Sequence, residues 1–105
     1  MFIFNSYKLI ENWNVSNGIN FKCMFSQCSS LTNIKSLEKW NVSNGNNFEC
    51  MFYGCSLLSD IKVLKKWDVS KGNNFSFMFN GCISLIYNNL LEKLKLVENK
   101  FNSMK

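Results

Sequence analysis

The chain has 105 residues, a formal net charge of +5, and 47% hydrophobic and 15% aromatic residues. This length allows a single domain, and this hydrophobic content excludes a disordered chain. No apolar run approaches the roughly 20 residues that a membrane-spanning helix needs, so we expect no membrane insertion. The first residues have no basic region and only a short apolar start, unlike a secretory signal peptide. We therefore expect either an intracellular protein or a segment of a longer chain.

The positive charge comes from twelve lysines against seven acidic residues, and the chain contains no arginine. Arginine is the usual reader of guanine and phosphate because its planar guanidinium group makes two hydrogen bonds to either one. The lysines are also dispersed, with Lys65 and Lys66 as the only adjacent pair. We interpret them as a solvated surface and expect no nucleic acid partner.

Tryptophan recurs every 27 residues, and most other large apolar residues recur with it. The recurring positions include Trp13, Trp40 and Trp67; Phe21, Phe48 and Phe75; Phe25, Phe52 and Phe79; Cys28, Cys55 and Cys82; and Leu31, Leu58 and Leu85. A period of this size is typical of proteins in which each repeat is one unit of a stack. The sequence predicts one repeat domain, with a partial copy over 1–27, copies over 28–54 and 55–81, and a degenerate copy over 82–105.

The first copy begins with an apolar edge. Met1, Phe4, Tyr7 and Ile10 occupy positions that hold Cys, Leu, Ile and Leu in the next copy. Terminal repeats usually carry a polar outer face, which this edge lacks. The edge therefore predicts self-association or further repeats beyond it.

Each copy predicts a short helix, which is clearest over residues 48–55. Its apolar face has the spacing i, i+3, i+4 and i+7 and consists of Phe48, Met51, Phe52 and Cys55. Gly54 and Gly81 stand near the end of this helix, where glycine suits a left-handed backbone conformation. Gln27 occupies the same position in the first copy, and we expect strain there.

A strand is predicted over residues 58–62. Leu58, Ile61, Leu64 and Trp67 are spaced by threes, which leaves the periodicity ambiguous between helix and strand. Stacking favours a short strand that pairs in parallel with its copy in the next coil. The predicted fold class is α/β, a short solenoid with one short helix and one short parallel strand per coil.

The five cysteines fall into two groups. Cys28, Cys55 and Cys82 lie on the predicted apolar face, where a free cysteine behaves as a small hydrophobic residue. Cys23 and Cys50 lie off that face, so we expect them to be partly exposed and oxidisable. A thiol-based redox sensor is a third functional hypothesis, which requires Cys23 or Cys50 to be unusually reactive.

The sequence offers no set of residues for metal binding or catalysis. It contains no histidine, and its cysteine pairs are separated by four residues where zinc sites use about two. A nucleophilic cysteine or serine needs a neighbouring base, which histidine usually supplies. We expect no enzymatic activity, no cofactor and no metal.

Three sequons for N-glycosylation begin at Asn14, Asn41 and Asn74. The first two follow a tryptophan, and the third copy has Asp68 at their position. Asn and Asp share the ability to close a turn by accepting a hydrogen bond from a nearby backbone amide. The pattern favours a turn, and glycosylation stays an alternative if the protein is secreted in a eukaryote.

The repeated pattern L-x-x-I-x-x-L-x-x-W-[ND]-V-S-[NK]-G-x-N-F-x-x-M-F-x-x-C-x-x-L resembles the BspA-like leucine-rich-repeat surface proteins of bacteria, protists and some large viruses. The matching residues lie at 37–43, 51–52 and 55–58, with counterparts in the other copies. The family usually has Val or a similar residue in place of Gly45, and often Met in place of Phe48. The resemblance implies a right-handed solenoid of leucine-rich-repeat type, often displayed at the cell surface for adhesion or protein binding.

Our leading hypothesis is a non-enzymatic protein-interaction or adhesion module with a protein or cell-surface ligand. The candidate interaction surface is a set of outward residues that recur between copies, namely Asn33, Lys35, Lys39, Asp60, Lys62 and Lys66. Repetition at a fixed spacing predicts that binding is distributed over these residues. The alternative is a structural fragment or an intracellular scaffold segment of a longer repeat protein.

Overall fold

The computed structural model of the protein describes residues 8–87 and Met104. Two short α-helices, α1 (Lys8–Glu11) and α2 (Ile83–Tyr87), lie at the two ends of the continuous part, and 3-10 helices lie between them at Lys35–Leu37 and Lys62–Lys66. Most of the other described residues lie in turns and irregular segments, and none of them forms a β-strand. No helix of this part is long and apolar enough to span a bilayer.

Successive repeats lie beside one another in register. Isolated parallel bridges join Asn20 to Asn47, Asn47 to Asn74, and Asn33 to Asp60. Each bridge connects residues that are equivalent in the sequence repeat. The 27-residue period of the sequence is therefore also a spatial period, and equivalent side chains become neighbours.

The predicted helix over residues 48–55 is wrong. Cys50 has φ of 54° and Gly54 has φ of 74°, whereas an α-helix needs φ near −63° at every residue. The segment instead forms consecutive turns, in which the backbone N–H of Met51 donates to the carbonyl of Phe48 at 3.2 Å. The left-handed conformation predicted for Gly54 is correct, but it belongs to a turn.

Half of the backbone N–H groups of this segment bond to the next repeat. Alternate N–H groups, those of Phe48, Cys50, Phe52 and Gly54, donate at 2.7–2.9 Å to the carbonyls of Asn74, Ser76, Met78 and Asn80. The first repeat bonds to the second in the same way from Phe21, Cys23, Phe25 and Gln27. These N–H groups point along the stack, so they do not make the i to i−4 bonds of an α-helix.

The predicted strand over residues 58–62 is also wrong. Its backbone pairing with the preceding repeat stops at one isolated bridge, at Asp60, beside the hydrogen bond from the N–H of Ser59 to the carbonyl of Thr32. Ile61 has ψ of 19°, far from the value of about +115° in a parallel strand. The chain then enters the 3-10 helix Lys62–Lys66. The predicted α/β solenoid of helix and strand coils is therefore incorrect, because the repeats consist of turns and short helical segments.

The core consists of columns of equivalent apolar side chains. Phe21, Phe48 and Phe75 stack with ring centroids 5.5 and 5.3 Å apart, and their planes differ by 8° or less. A second column contains Phe25, Phe52 and Phe79, with centroids 5.6 and 5.7 Å apart. The four residues of the predicted apolar face, Phe48, Met51, Phe52 and Cys55, are all fully buried. The spacing therefore predicted burial correctly and the backbone conformation incorrectly.

A side chain closes the turn that follows each tryptophan. The Oδ1 atom of Asn41 accepts hydrogen bonds from the backbone N–H of Ser43 at 3.0 Å and from its hydroxyl at 2.6 Å. Asn14 and Asp68 make the same pair of bonds to the serine two residues later. The turn predicted from the exchange of Asn for Asp is confirmed.

The two ends of the repeat array are described only in part. Ile10 of the predicted N-terminal edge is buried, whereas Met1, Phe4 and Tyr7 lie outside the described residues. In the degenerate copy, the carbonyl of Met104 accepts a hydrogen bond from the N–H of Phe79 at 2.8 Å. Residues 88–103 of that copy lie outside the described part.

Candidate interaction surface

The six residues of the candidate surface lie around the two 3-10 helices, and we call this set the lysine edge. Its members are Asn33, Lys35, Lys39, Asp60, Lys62 and Lys66. The four lysines are exposed, while the asparagine and the aspartate are half-buried. The structure brings together the members of consecutive repeats, since Asn33 and Asp60 form a parallel bridge.

Asn33 and Asp60 set the position of the lysines that follow them. The Oδ1 atom of Asn33 accepts a hydrogen bond from the backbone N–H of Lys35 at 3.2 Å, and that of Asp60 accepts one from Lys62 at 3.2 Å. Both bonds satisfy an N–H group at the start of a 3-10 helix, which has no partner within the helix. The side chains of Lys35 and Lys62 therefore start from equivalent points of consecutive repeats.

Lys66 reaches across to the preceding repeat. Its Nζ atom lies 2.6 Å from Oε1 of Glu38 in a hydrogen-bonded ion pair between two exposed side chains. This bond and the charge of Lys66 lower the pKa of the Glu38 carboxyl, with smaller contributions from Lys39 and Lys35. The sequence prediction included Lys66 but not Glu38. The two residues are 28 apart, one repeat plus one residue, and this separation was the signal that they are neighbours in adjacent repeats.

The lysine edge carries an excess of positive charge. Its four lysines outnumber the carboxylates beside them, which are those of Asp60 and Glu38. Lys65, also exposed, lies on the second 3-10 helix and adds to the excess. An exposed surface of this kind attracts anionic groups and speeds their encounter with the protein.

Two other exposed lysines lie in a different part of each repeat. Lys22 is 3.8 Å from a carboxylate oxygen of Glu49, and Lys71 donates a hydrogen bond to Oδ1 of Asn44 at 3.1 Å. Both contacts cross between repeats, as the Lys66 contact does. Replacing Lys22 and Lys71 therefore changes the net charge and leaves the lysine edge intact, which makes them controls for the edge lysines.

The cysteines of the core are protected thiols. Cys28, Cys55 and Cys82 are buried, and the thiol of Cys55 donates to the carbonyl of Phe25 at 3.1 Å. The thiol of Cys82 donates in the same way to Phe52 at 3.0 Å. Burial raises the pKa of Cys55 and of Cys82 to about 12. Because the thiolate is the reactive form, Cys55 and Cys82 are not nucleophiles near neutral pH.

The remaining two cysteines lie on the outer side of the turns. Cys23 is exposed and Cys50 is half-buried, and both have a left-handed backbone with φ of 57° and 54°. Partial burial raises the pKa of the Cys50 thiol, and the neighbouring Cys23 and Glu49 raise it further. Among the described residues, no three His, Cys, Asp or Glu side chains come close enough to share a metal ion.

Comparisons with known proteins place the chain by family. No curated protein and no solved structure matches it. A family model described as "Mycoplasma protein of unknown function, DUF285" matches residues 2–93, which is most of the sequence. The chain therefore belongs to the DUF285 family of Mycoplasma proteins of unknown function.

Proposed function

We propose that the chain is a non-enzymatic interaction module that presents the lysine edge to a protein or cell-surface ligand, as part of a BspA-like surface repeat protein. The family match and the repeated sequence pattern support this assignment. Stacked repeats typically build extended surfaces whose function is recognition. The fold itself implies no particular ligand.

The observation that carries the proposal is the recurrence of exposed lysines in register. Lys35 and Lys62 follow side chains that hold them at equivalent points of adjacent repeats. Each exposed charge pair contributes only about 0 to 1 kcal/mol, so no single lysine dominates binding. Several such contacts on one partner add up, which makes a periodic edge suitable for a ligand with spaced anionic groups.

Adhesion of protein-coated beads to a monolayer of cultured animal cells tests the proposal. The test variant is Lys35→Gln with Lys62→Gln, and the matched control is Lys22→Gln with Lys71→Gln. Each variant loses two positive charges. We expect the edge variant to reduce bead retention several-fold, the control to retain most of it, and Lys62→Gln alone to have a modest effect.

Three outcomes would contradict the proposal. Equal losses in the two double variants would show that net charge, and not the lysine edge, controls retention. Complete loss from Lys62→Ala alone would show a point contact and not a distributed surface. If beads coated with the unaltered protein are retained no better than uncoated beads, the hypothesis of adhesion to these cells is rejected.

The alternative function, a scaffold segment of a longer repeat array, has its own structural support. The carbonyls of Asn47, Glu49, Met51 and Tyr53 accept bonds from the preceding repeat. Their equivalents in the first repeat belong to Asn20, Lys22, Met24 and Ser26, and no N–H group of the described residues donates to them. Such an edge offers hydrogen-bond acceptors to another repeat. Light scattering over a range of concentrations tests it, since a strict monomer would argue against an open edge.

A further inference from the structure

Cys23 and Cys50 occupy equivalent positions in adjacent repeats. The backbone N–H of Cys23 donates to the carbonyl of Glu49 at 2.9 Å, which places Cys23 beside Cys50. Equivalent side chains on either side of this pair stack at the repeat spacing, with the ring centroids of Phe21 and Phe48 5.5 Å apart and those of Phe25 and Phe52 5.6 Å apart. A repeat spacing of this size falls within the roughly 4.4 to 6.8 Å between Cα atoms that a disulfide spans.

The side chains of the pair leave the backbone in the same direction. With φ of 57° and 54°, both residues have the same left-handed backbone, and both lie outside the core. The phenylalanine pairs on either side of the cysteines have nearly the same spacing, so the two segments stay parallel around Cys23 and Cys50. The influence of Cys23 on the pKa of the Cys50 thiol agrees with their proximity.

We propose that Cys23 and Cys50 form an intramolecular disulfide that joins the first two repeats when the protein meets a small-molecule disulfide such as oxidised glutathione. The inference is independent of the lysine edge. It rests on the pairing of an exposed and a half-buried thiol by the register of the repeats. The other three cysteines are buried and take no part in it.

The reaction is a thiol–disulfide exchange in two steps. The thiolate of Cys23, the more exposed residue, attacks one sulfur of oxidised glutathione, forms a mixed disulfide and releases one glutathione thiolate. The thiolate of Cys50 then attacks the Cys23 sulfur of that mixed disulfide and releases the second glutathione. Two protein thiols lose two protons and two electrons, and one oxidised glutathione becomes two reduced glutathiones.

The product links residues that are far apart in the chain but adjacent in the fold. The closed loop contains one whole repeat, and the link restricts the unfolded chain more than the folded one. We therefore expect the oxidised protein to unfold at a higher urea concentration than the reduced protein. The contacts around Phe48 and Phe52, which already hold these repeats in register, should change little.

The test treats the full chain with oxidised glutathione, quenches with acid, and alkylates with iodoacetamide after denaturation without reduction. The expected product is lighter than the untreated chain by two hydrogens before alkylation and accepts three alkyl groups, where the untreated chain with its five cysteines accepts five. Digestion should yield a peptide pair linked through Cys23 and Cys50. Two glutathione adducts on one chain, or a dimer linked through Cys23, would overturn the proposal.

Two variants make the test specific. Cys50→Ser should leave a single stable glutathione adduct on Cys23. Phe77 occupies the same position in the third repeat, with φ of 57°, so Phe77→Cys combined with Cys23→Ser should form a bond between residues 50 and 77. Failure of this second pair to close under conditions in which it is reduced and folded would contradict the argument from register.

Discussion

The indole Nε1–H of Trp67 donates a hydrogen bond to the main-chain carbonyl of Leu37, 3.0 Å away in the preceding repeat. Leu37 is the last residue of the first 3-10 helix, and its carbonyl also accepts a hydrogen bond from the backbone N–H of Trp40 at 3.1 Å. Trp40 makes the same contact with the carbonyl of Ile10 in α1 at 2.9 Å. The recurring tryptophan therefore adds a second hydrogen bond to a carbonyl near a helix end of the repeat before it.

Trp67→Phe should destabilise the protein by about 0.5 to 1.5 kcal/mol, because it removes one of the two hydrogen bonds that the buried carbonyl of Leu37 accepts, while the bond from the backbone N–H of Trp40 stays. Urea unfolding followed by circular dichroism measures the change. Trp13→Phe is the matched control. Trp13 is 48% exposed, so its replacement should lower the free energy of unfolding by less. Equal destabilisation by the two variants would show that loss of the ring, and not the hydrogen bond, is responsible.

Gln27→Gly should stabilise the protein by several tenths of a kcal/mol to about 1 kcal/mol. Gln27 has φ of 62°, and the equivalent residues Gly54 and Gly81 adopt the same region as glycines. A left-handed conformation costs an L-residue about 1 to 2 kcal/mol, part of which the flexibility of glycine in the unfolded chain offsets. Ser26→Gly, at a neighbouring residue without positive φ, should instead destabilise; stabilisation by both variants would contradict the argument.

Ser36→Ala should raise the free energy of unfolding by about 1 kcal/mol. The Ser36 side chain is buried, and its hydroxyl has no hydrogen-bond partner. A buried hydroxyl without a partner costs about 1 to 3 kcal/mol by comparison with a well-solvated one. Val63 occupies the same position in the next repeat, so Ser36→Val is a second test of an apolar side chain there. A lower urea midpoint for both variants would show that the hydroxyl has a stabilising role.

The stability of the protein should fall as the pH rises above about 8.5, the ordinary pKa of a cysteine in an unfolded chain. Burial raises the pKa of Cys55 and of Cys82 to about 12 in the folded state. Above about pH 8.5 these thiols lose their protons in the unfolded state and keep them in the folded state, so the unfolded state is increasingly favoured. The free energy of unfolding that the two buried thiols contribute is fully present below about pH 8.5 and is lost as the pH approaches about 12.

Urea midpoints measured at a series of pH values from about 7 to about 10 test this prediction. The control is Cys55→Ala with Cys82→Ala, which lacks the two protected thiols and should show a shallower fall with pH. An identical slope in both proteins would assign the pH dependence to other groups. The lower overall stability that the variant is expected to show, through loss of packing, does not affect the comparison of slopes.

The sequence by itself determined the period, the buried columns and the local turns. The columns of Phe48 and Phe52 follow from spacing, because a residue that recurs once per repeat meets its copy in the next one. The turn at Asn41 follows from a short-range hydrogen bond between residues two apart. These features depend on residue identity and nearby neighbours, so a single sequence carries them.

Only the tertiary structure decided the backbone conformation of each repeat. Helical spacing buries the same side chains in an α-helix as in the consecutive turns over 48–55, so the apolar pattern does not distinguish them. The choice depends on whether the N–H of Phe52 bonds within its own segment or to Met78 in the next repeat. That bond forms between residues far apart in the chain. Other contacts between repeats, also between distant residues, place Cys23 beside Cys50 and Lys66 beside Glu38.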